Sequence, residues 1–502
     1  MAARIVRRVW TTSGQHSVLA PPLYGDASTC DRSRPVDDIP GPTALPFLGT
    51  SYKQFPFGQY YKKNNVEMML DKYHKYGSLV RETLLPGFHV IWLFDPDDIA
   101  QAYRNECKQP FRPPVECIVA QRKRCGQPVG LTNCQGKEWY RIRKQVQGAM
   151  LHPRMVASYA TAQDHVCEDF VARLLLLRQK NHVVPNILNE LRKWALEAIG
   201  IVCFNKRLGA LKSEESVSAD AQRFVDATMS AMTAMHSLTH SPPFYKYFNT
   251  PLFRKFCHHM DVVWELSDEY IREFQEGNCR TDSKDNMLAH LLAQPDLSED
   301  EVVAFIASML FAGIDTTSHT LAFILYQLAT NPEAQRTLQE EVDRVAPSGT
   351  AMSSAVLGAM PYMRAVFKET SRLMPTAGTS IRKLQKDLVI RGYHIPAGYH
   401  VIFGQPAIGL MPEYFESPDR FLPERWLRNQ ESSPIHPFAV MPFSHGPRSC
   451  VGRRIAKQEI YLMLTKIVRS FRLEYKGEPI QMVTRMLNAP DRPLQCRFVN
   501  RQ

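Results

Sequence analysis

Between Ser298 and Pro332 the chain carries a single uninterrupted helical pattern. Ser298-x-x-Glu301 forms a capping box at its start, apolar residues recur at helical spacing from Val302 to Leu328, and Pro332 ends it. About 30 residues at 1.5 Å each span roughly 45 Å, enough to cross a whole domain. By length alone, the 502 residues allow two or three ordinary domains or one unusually large one with a deep core.

The middle of this apolar helix reads Ala312-Gly313-Ile314-Asp315-Thr316-Thr317-Ser318, which packing alone does not favour. A glycine inside a helix costs about 1 kcal/mol against alanine. A buried acid is costly unless partnered, and Ser/Thr side chains that bond back to the preceding turn bend helices. Such a cluster marks a site. Taken alone, the cluster reads equally as a kink in the helix.

Elsewhere, apolar residues repeat at helical spacing over Phe170–Leu177 and Val184–Ile201. Val80–Asp95, with β-branched and aromatic residues around Pro86-Gly87, reads as a hairpin, and Leu388–Ile402 as strand. The expected body is mainly α with a small β region. No internal repeat and no Gly-rich dinucleotide fingerprint after a strand is present, so reducing equivalents would come from another protein.

The strongest chemical signal is Pro442–Gly452, PFSHGPRSCVG, ahead of a run with helical apolar spacing. A cysteine at the start of a helix is favoured as thiolate by backbone N–H groups and the helix dipole. Cys450 stands at such a place. Gly446 and Gly452 let backbone approach a flat macrocycle, and Arg448 offers a fixed cation for a carboxylate.

Phe443-x-x-Gly446-x-Arg448-x-Cys450-x-Gly452 resembles the haem-binding loop of cytochromes P450 at all five defining positions. Ser444 departs from the glycine that many members carry. The resemblance implies the cytochrome P450 fold as a single large haem domain over residues 36–502, haem b (iron protoporphyrin IX) as cofactor, Cys450 as axial thiolate and metal ligand, and Arg448 on a haem propionate. A thiolate ligand favours O–O cleavage. Ala312–Ser318 matches the family's oxygen-binding motif, implying Asp315 and Thr316 as the catalytic acid–alcohol pair.

By the same resemblance Trp139-x-x-x-Arg143 and Arg382 serve the propionates. Glu369-x-x-Arg372 is joined by Arg425 of Phe421-x-Pro423-Glu424-Arg425-Trp426 in a structural triad. Arg364 and Lys368, four apart on one helical face, together with Arg453 and Arg454, resemble the ferredoxin-docking cations of the mitochondrial branch. His445 and the pair His258-His259 are read as ordinary side chains.

The closest likeness within that branch is to the arthropod mitochondrial enzymes of ecdysteroid synthesis. It rests on Val80-Arg81-Glu82-Thr83 with Pro86-Gly87, on Trp92–Pro96 and on Ala312–Ser318. It implies hydroxylation of a sterol or ecdysteroid precursor at C22, with O2 and electrons from a mitochondrial ferredoxin and its NADPH-dependent reductase. Another mitochondrial steroid, vitamin D or xenobiotic hydroxylase is the alternative; a haem-thiolate isomerase or a non-catalytic carrier is less favoured. The apolar substrate would meet the Phe111–Leu131 loop, the Ala304–Ala312 face, Thr376–Ile381 and Met486–Pro490.

Charge and targeting agree with this. Arg4, Arg7 and Arg8 with no acid before Asp26 make residues 1–35 a mitochondrial transit peptide and linker, and the leader lacks the apolar run of about 18 residues a membrane anchor requires. Stiff Pro40-Gly41-Pro42 leads into the folded body. Net charge +11 suits an acidic partner protein, while no basic run or zinc-finger spacing favours nucleic acid. Eleven cysteines without a CxxC pair point to a reducing compartment. Pro243–Arg254 interleaves aromatics with Lys246 and Arg254, a pattern for peripheral contact with the inner mitochondrial membrane, on its matrix side.

Overall fold

The computed structural model describes residues 33–61, 63–212, 218–277, 286–427 and 434–501; the transit-peptide reading thus lies almost wholly outside the described residues. The contacts divide the chain into two units. One takes the described residues of Met1–Phe111, Thr379–Phe421 and Ser433–Met441; the other takes those of Arg112–Gly378, Leu422–Ser432 and Pro442–Gln502.

The first unit holds the strands β1 (Arg34–Pro35), β2 (Leu79–Leu85), β3 (Phe88–Leu93), β4 (Ser380–Lys383), β5 (Leu388–Ile390), β6 (Tyr393–Ile395) and β7 (His400–Phe403). The expected hairpin is β2 and β3, antiparallel around Pro86-Gly87, with Gly87 at φ +78°. They continue into a four-stranded sheet of order β2-β3-β7-β4, and β1-β6-β5 make a smaller one. Two helices flank the hairpin: α1 (Asn65–Tyr76), capped by Asn64, and α2 (Pro96–Arg104), capped by Asp95. Glu82 and Trp92 meet at a buried hub, where Glu82 accepts from Trp92 Nε1 at 2.7 Å and Thr50 Oγ1 at 2.8 Å and pairs with Lys72. The Pro40-Gly41-Pro42 segment is docked rather than free: the Arg81 N–H donates to Pro40 O, and a Cβ on Gly41 would sit 1.7 Å from Arg81 O.

The second unit is helical. Those that build the site are α3 (Gly136–Leu151), α4 (Ala160–Leu177), α5 (Ile187–Phe204), α6 (Glu299–Thr330), α7 (Pro361–Leu373) and α8 (Arg453–Ser470). The long helix α6 has 32 residues and the full capping box of Ser298 and Glu301. It is long and apolar enough to cross a membrane, yet most of its residues are buried among α5, α7 and α8, as a core helix is.

Three expectations need correction. Helix α5 begins at Ile187, not Val184, because Pro185 and Asn186, at φ +47°, hold the preceding backbone out of the helix. The Phe111–Leu131 segment is not all loop but carries a helix over Glu116–Arg124. Strand is also wider than expected: β4 precedes Leu388, and β8 (Phe471–Tyr475), β9 (Met482–Arg485), β10 (Leu487–Pro490) and β11 (Cys496–Asn500) form two antiparallel pairs in the second unit. The nine described cysteines are all free thiols.

Candidate active site

The Pro442–Gly452 loop folds onto itself before α8. The Cys450 N–H donates to Phe443 O at 2.9 Å and the Ser449 N–H to Gly446 O at 3.0 Å. Gly446 has φ +73°, a left-handed conformation that explains its residue type. Ser444 also adopts the left-handed region, φ +59°. This is why glycine suits that position in other members, and serine holds it at some conformational cost. The Phe443 ring is stacked with Phe367 of α7, 5.9 Å between centroids, which ties the loop to the helix core.

Cys450 lies two residues before Gly452, the N-cap of α8. Burial pushes its thiol pKa up, while the Gly452 N–H and the Arg143, Arg453 and Arg112 cations pull it down. The Cys450 side chain is nonetheless exposed, so it is open to a metal ion, which would deprotonate the thiol on binding it.

Arg143 and Trp139 both face inward from α3 and are buried. Burial pushes the Arg143 pKa down, with Cys450 the opposing influence, and its buried Nε has no hydrogen-bond partner. Arg448 is buried with its guanidinium 4.0 Å above the Trp139 ring, donating to Cys134 O at 3.0 Å and Gln135 Oε1 at 2.8 Å. A buried cation with an unmatched donor beside a cysteine fits an anionic group carrying iron, and these residues fit haem. Arg382 belongs to the first unit, where it is buried and pairs with Glu106, Nε to Oε1 2.7 Å.

In α6 the Gly313 cluster stays helical throughout. Thr316 Oγ1 bonds back to Ala312 O at 2.8 Å, and Ala312 is exposed while its neighbours Phe311, Ile314 and Asp315 are buried. One position on a core helix is therefore open. Asp315 and Thr316, adjacent in sequence, have different partners: buried Asp315 accepts from Arg192 Nε of α5 at 2.7 Å. Arg192 was not legible, since it lies 123 residues away and reads as an ordinary helix arginine.

Several segments named from sequence converge on α6. Phe311 joins an apolar cluster with Cys117, Met235 and Phe256, against which Met486 packs. A Cβ on Gly130 would meet Ser308 Oγ at 3.0 Å. Asn488 bonds Pro375 O at 2.7 Å and Thr376 O at 2.8 Å, and Thr376 shares a hydrogen bond with Thr320 of α6.

The side chains of Glu369, Arg372 and Arg425 meet. Glu369 receives Arg372 Nε at 2.9 Å and Arg425 Nε at 3.1 Å, and also the Leu422 N–H at 3.0 Å and Trp426 Nε1 at 2.8 Å. Both Glu369 and Arg372 are fully buried. The four cations assigned to docking lie on α7 and α8. Arg364 donates to Gly358 O, exposed Lys368 lies 5.2 Å from the Trp426 ring, Arg453 donates to Cys450 O at 3.1 Å, and Arg454 donates to Leu151 O. Lys457, not singled out from sequence, completes the group: burial and then Lys368, Arg453 and Arg454 push its pKa down. Its spacing of four from Arg453 was the available signal.

A cysteine loop ahead of a helix, two buried arginines and a core helix with an exposed alanine are features that a haem-thiolate site would need. The Cytochrome P450 family profile matches residues 39–498 without a break, and the chain belongs to that family. It is an enzyme of the monooxygenase kind, and its family's cofactor is haem held by a cysteine thiolate. Cytochrome P450 302a1, mitochondrial, of Drosophila melanogaster is 33% identical over 93% of this chain and 95% of its own length. Cytochrome P450 10 of Lymnaea stagnalis is 32% identical over 93% and 86%. The rat 1,25-dihydroxyvitamin D(3) 24-hydroxylase, mitochondrial, is 30% identical over 95% and 91%.

Proposed function

We propose that this enzyme is a mitochondrial sterol hydroxylase acting at C22 of an ecdysteroid precursor, with Cys450 as the iron ligand. The observation that carries the haem assignment is the buried Arg143, its Nε unmatched, beside Cys450. The substrate class rests on the likeness of Val80-Arg81-Glu82-Thr83 with Pro86-Gly87, of Trp92–Pro96 and of Ala312–Ser318 to the ecdysteroid enzymes. A relative named for hydroxylating 1,25-dihydroxyvitamin D(3) supports a sterol-shaped ligand.

Bound haem supplies the reductive activation of O2 from which one oxygen enters a C–H bond. The chain's residues set the conditions for it. Cys450 would hold the iron as a thiolate, and Arg143 and Arg448, with Trp139 beside the latter, would hold the acidic groups of the macrocycle. Thr316 keeps its hydroxyl oriented through Ala312 O, and Asp315 delivers protons to that hydroxyl. The apolar cluster around Phe311 excludes water from the substrate side.

Electrons come from a mitochondrial ferredoxin served by an NADPH-dependent reductase. Crowded like charges at Arg364, Lys368, Arg453, Arg454 and Lys457 are relieved by an acidic partner. Phe244, Tyr247 and Phe248, exposed at 59%, 80% and 68%, form the contact with the inner membrane on its matrix side. Lys246 pairs with Glu116 at 2.9 Å, which leaves exposed Arg254 as the basic flank.

The reduced, carbon-monoxide-treated protein is expected to show the Soret band of thiolate-bound haem, lost in Cys450→Ala; a band surviving that change sinks the assignment. Spectral titration against sterols and ecdysteroid precursors, then reconstituted turnover, tests the substrate. No response to any ecdysteroid precursor overturns the C22 reading. Liposome binding unchanged by Phe244→Ser with Phe248→Ser counts against the membrane contact.

A further inference from the structure

One helical turn beyond Asp315, α6 carries a buried histidine that the proposed reaction leaves unused. His319, 5% exposed, shares the face of Asp315. Arg192 spans the two: its Nε donates to Asp315 Oδ1 at 2.7 Å, and its Nη2 lies 3.2 Å from His319 Nε2. The imidazole Nε2 is itself 3.8 Å from Asp315 Oδ1. A guanidinium carries only donors, so the nitrogen facing it is the unprotonated one and the ring proton sits on Nδ1. That Nδ1 is buried, outside good hydrogen-bond geometry but within reach of the Asn488 backbone. Arg192 and Asp315 are the charged groups beside the ring, with Arg485 of β9 farther round and the Asn488 backbone near it; burial pushes the His319 pKa down to about 4 and keeps the ring neutral.

We propose that His319 is a positioning residue that keeps Arg192 in place while Asp315 changes charge. This rests on Asp315 being the proton-carrying acid. When Asp315 holds a proton, the attraction that fixes Arg192 is gone, but the neutral imidazole remains as an acceptor on the same guanidinium. Arg192 stays within reach, and Asp315 is paired again as soon as the proton has moved on. Without the ring, the partly exposed Arg192 side chain turns toward water, and each cycle must recover it. A space-filling histidine would have no reason to face an arginine with an acceptor nitrogen.

The test uses the holoenzyme with ferredoxin, reductase and NADPH, and dioxygen itself as the probe. Two electrons and two protons convert O2 to hydrogen peroxide; four of each convert it to two waters, so oxygen consumed per NADPH reads proton delivery. His319→Phe is expected to lower the share of O2 reduced to water about fivefold, the worth of one hydrogen bond, and to raise the solvent deuterium isotope effect. His319→Gln, whose amide oxygen accepts from Arg192, restores most of it. An unchanged share and isotope effect in His319→Phe, with the Soret band intact, overturns the proposal. Nitrogen-15 NMR of histidine-labelled wild-type protein is independent of turnover: a proton on Nε2 rather than Nδ1 overturns it too. Asp315→Asn separates the two levels. If it leaves both readouts unchanged, the acid assignment fails and takes this inference with it; if it alters both while His319→Phe does not, only the positioning role fails.

Discussion

Arg448 lies over Trp139, its guanidinium carbon 4.0 Å from the ring centroid, and both side chains are buried. The indole thus fixes the direction in which that cation presents its donors. A desolvated pair of this kind is worth about 2 kcal/mol. Trp139→Leu should therefore weaken haem retention roughly thirtyfold, measured as haem transfer to an excess of apomyoglobin, while the polypeptide stays folded by circular dichroism.

Glu369 collects donors from Arg372, Arg425, Trp426 and the Leu422 N–H at a position closed to water. Glu369→Ala removes the buried carboxylate that Arg372 and Arg425 share, a loss of about 3–5 kcal/mol. The expected outcome is failure to incorporate haem on expression. Trp426→Phe removes one donor and should cost only about 1 kcal/mol in thermal unfolding.

The cysteine loop has two left-handed residues, of which only one is glycine. Gly446→Ala should destabilise by about 1–2 kcal/mol, since φ +73° suits no β-carbon. Ser444→Gly relieves the same strain at φ +59° and should raise the midpoint of thermal Soret loss. A lower midpoint for Ser444→Gly would show that the serine side chain contributes more than its backbone strain removes.

Glu459 of α8 is buried against Gln163, whose Nε2 donates to it at 3.1 Å, and burial raises its pKa from 4.5 to about 8. The folded protein holds this proton more tightly than the unfolded chain does. Its contribution is fully present below about pH 4.5 and is lost as pH rises toward 8. Glu459→Gln, which keeps an acceptor oxygen for Gln163, should gain thermal stability over wild type progressively between pH 5 and pH 8. A difference that does not grow with pH would show Glu459 to be ionised already at pH 5.

Charge reversal at Lys457 should raise the KM for ferredoxin about tenfold at low ionic strength with kcat unchanged, and the gap should narrow with added salt. Arg364→Glu is expected to behave the same way. Insensitivity of both to salt would show that the cations serve α7 and α8 rather than a partner.

The long helix, its capping box, the hairpin at Pro86-Gly87 and the cysteine loop were legible because their signals are local: a cap at fixed offset, a period, a turn dipeptide. Local signals failed where backbone conformation departs from the period, as at Pro185-Asn186, and in short strands whose partners lie far along the chain. Lys457 was within reach of spacing, whereas Arg192 and His319 were not, because their meaning lies in a contact 127 residues long.

By itself the sequence determined the family, the glycine-bearing cysteine loop of Phe443–Gly452 and the polar cluster inside α6, since each is written in neighbouring positions. Only the tertiary structure decided which charges are matched: Arg143 left with a bare Nε, Arg448 laid on Trp139, and Asp315 engaged by Arg192 rather than by Thr316. The reason is physical. Burial and pairing set the energy of a charge, and both depend on which segments, remote in the chain, the packed core brings together.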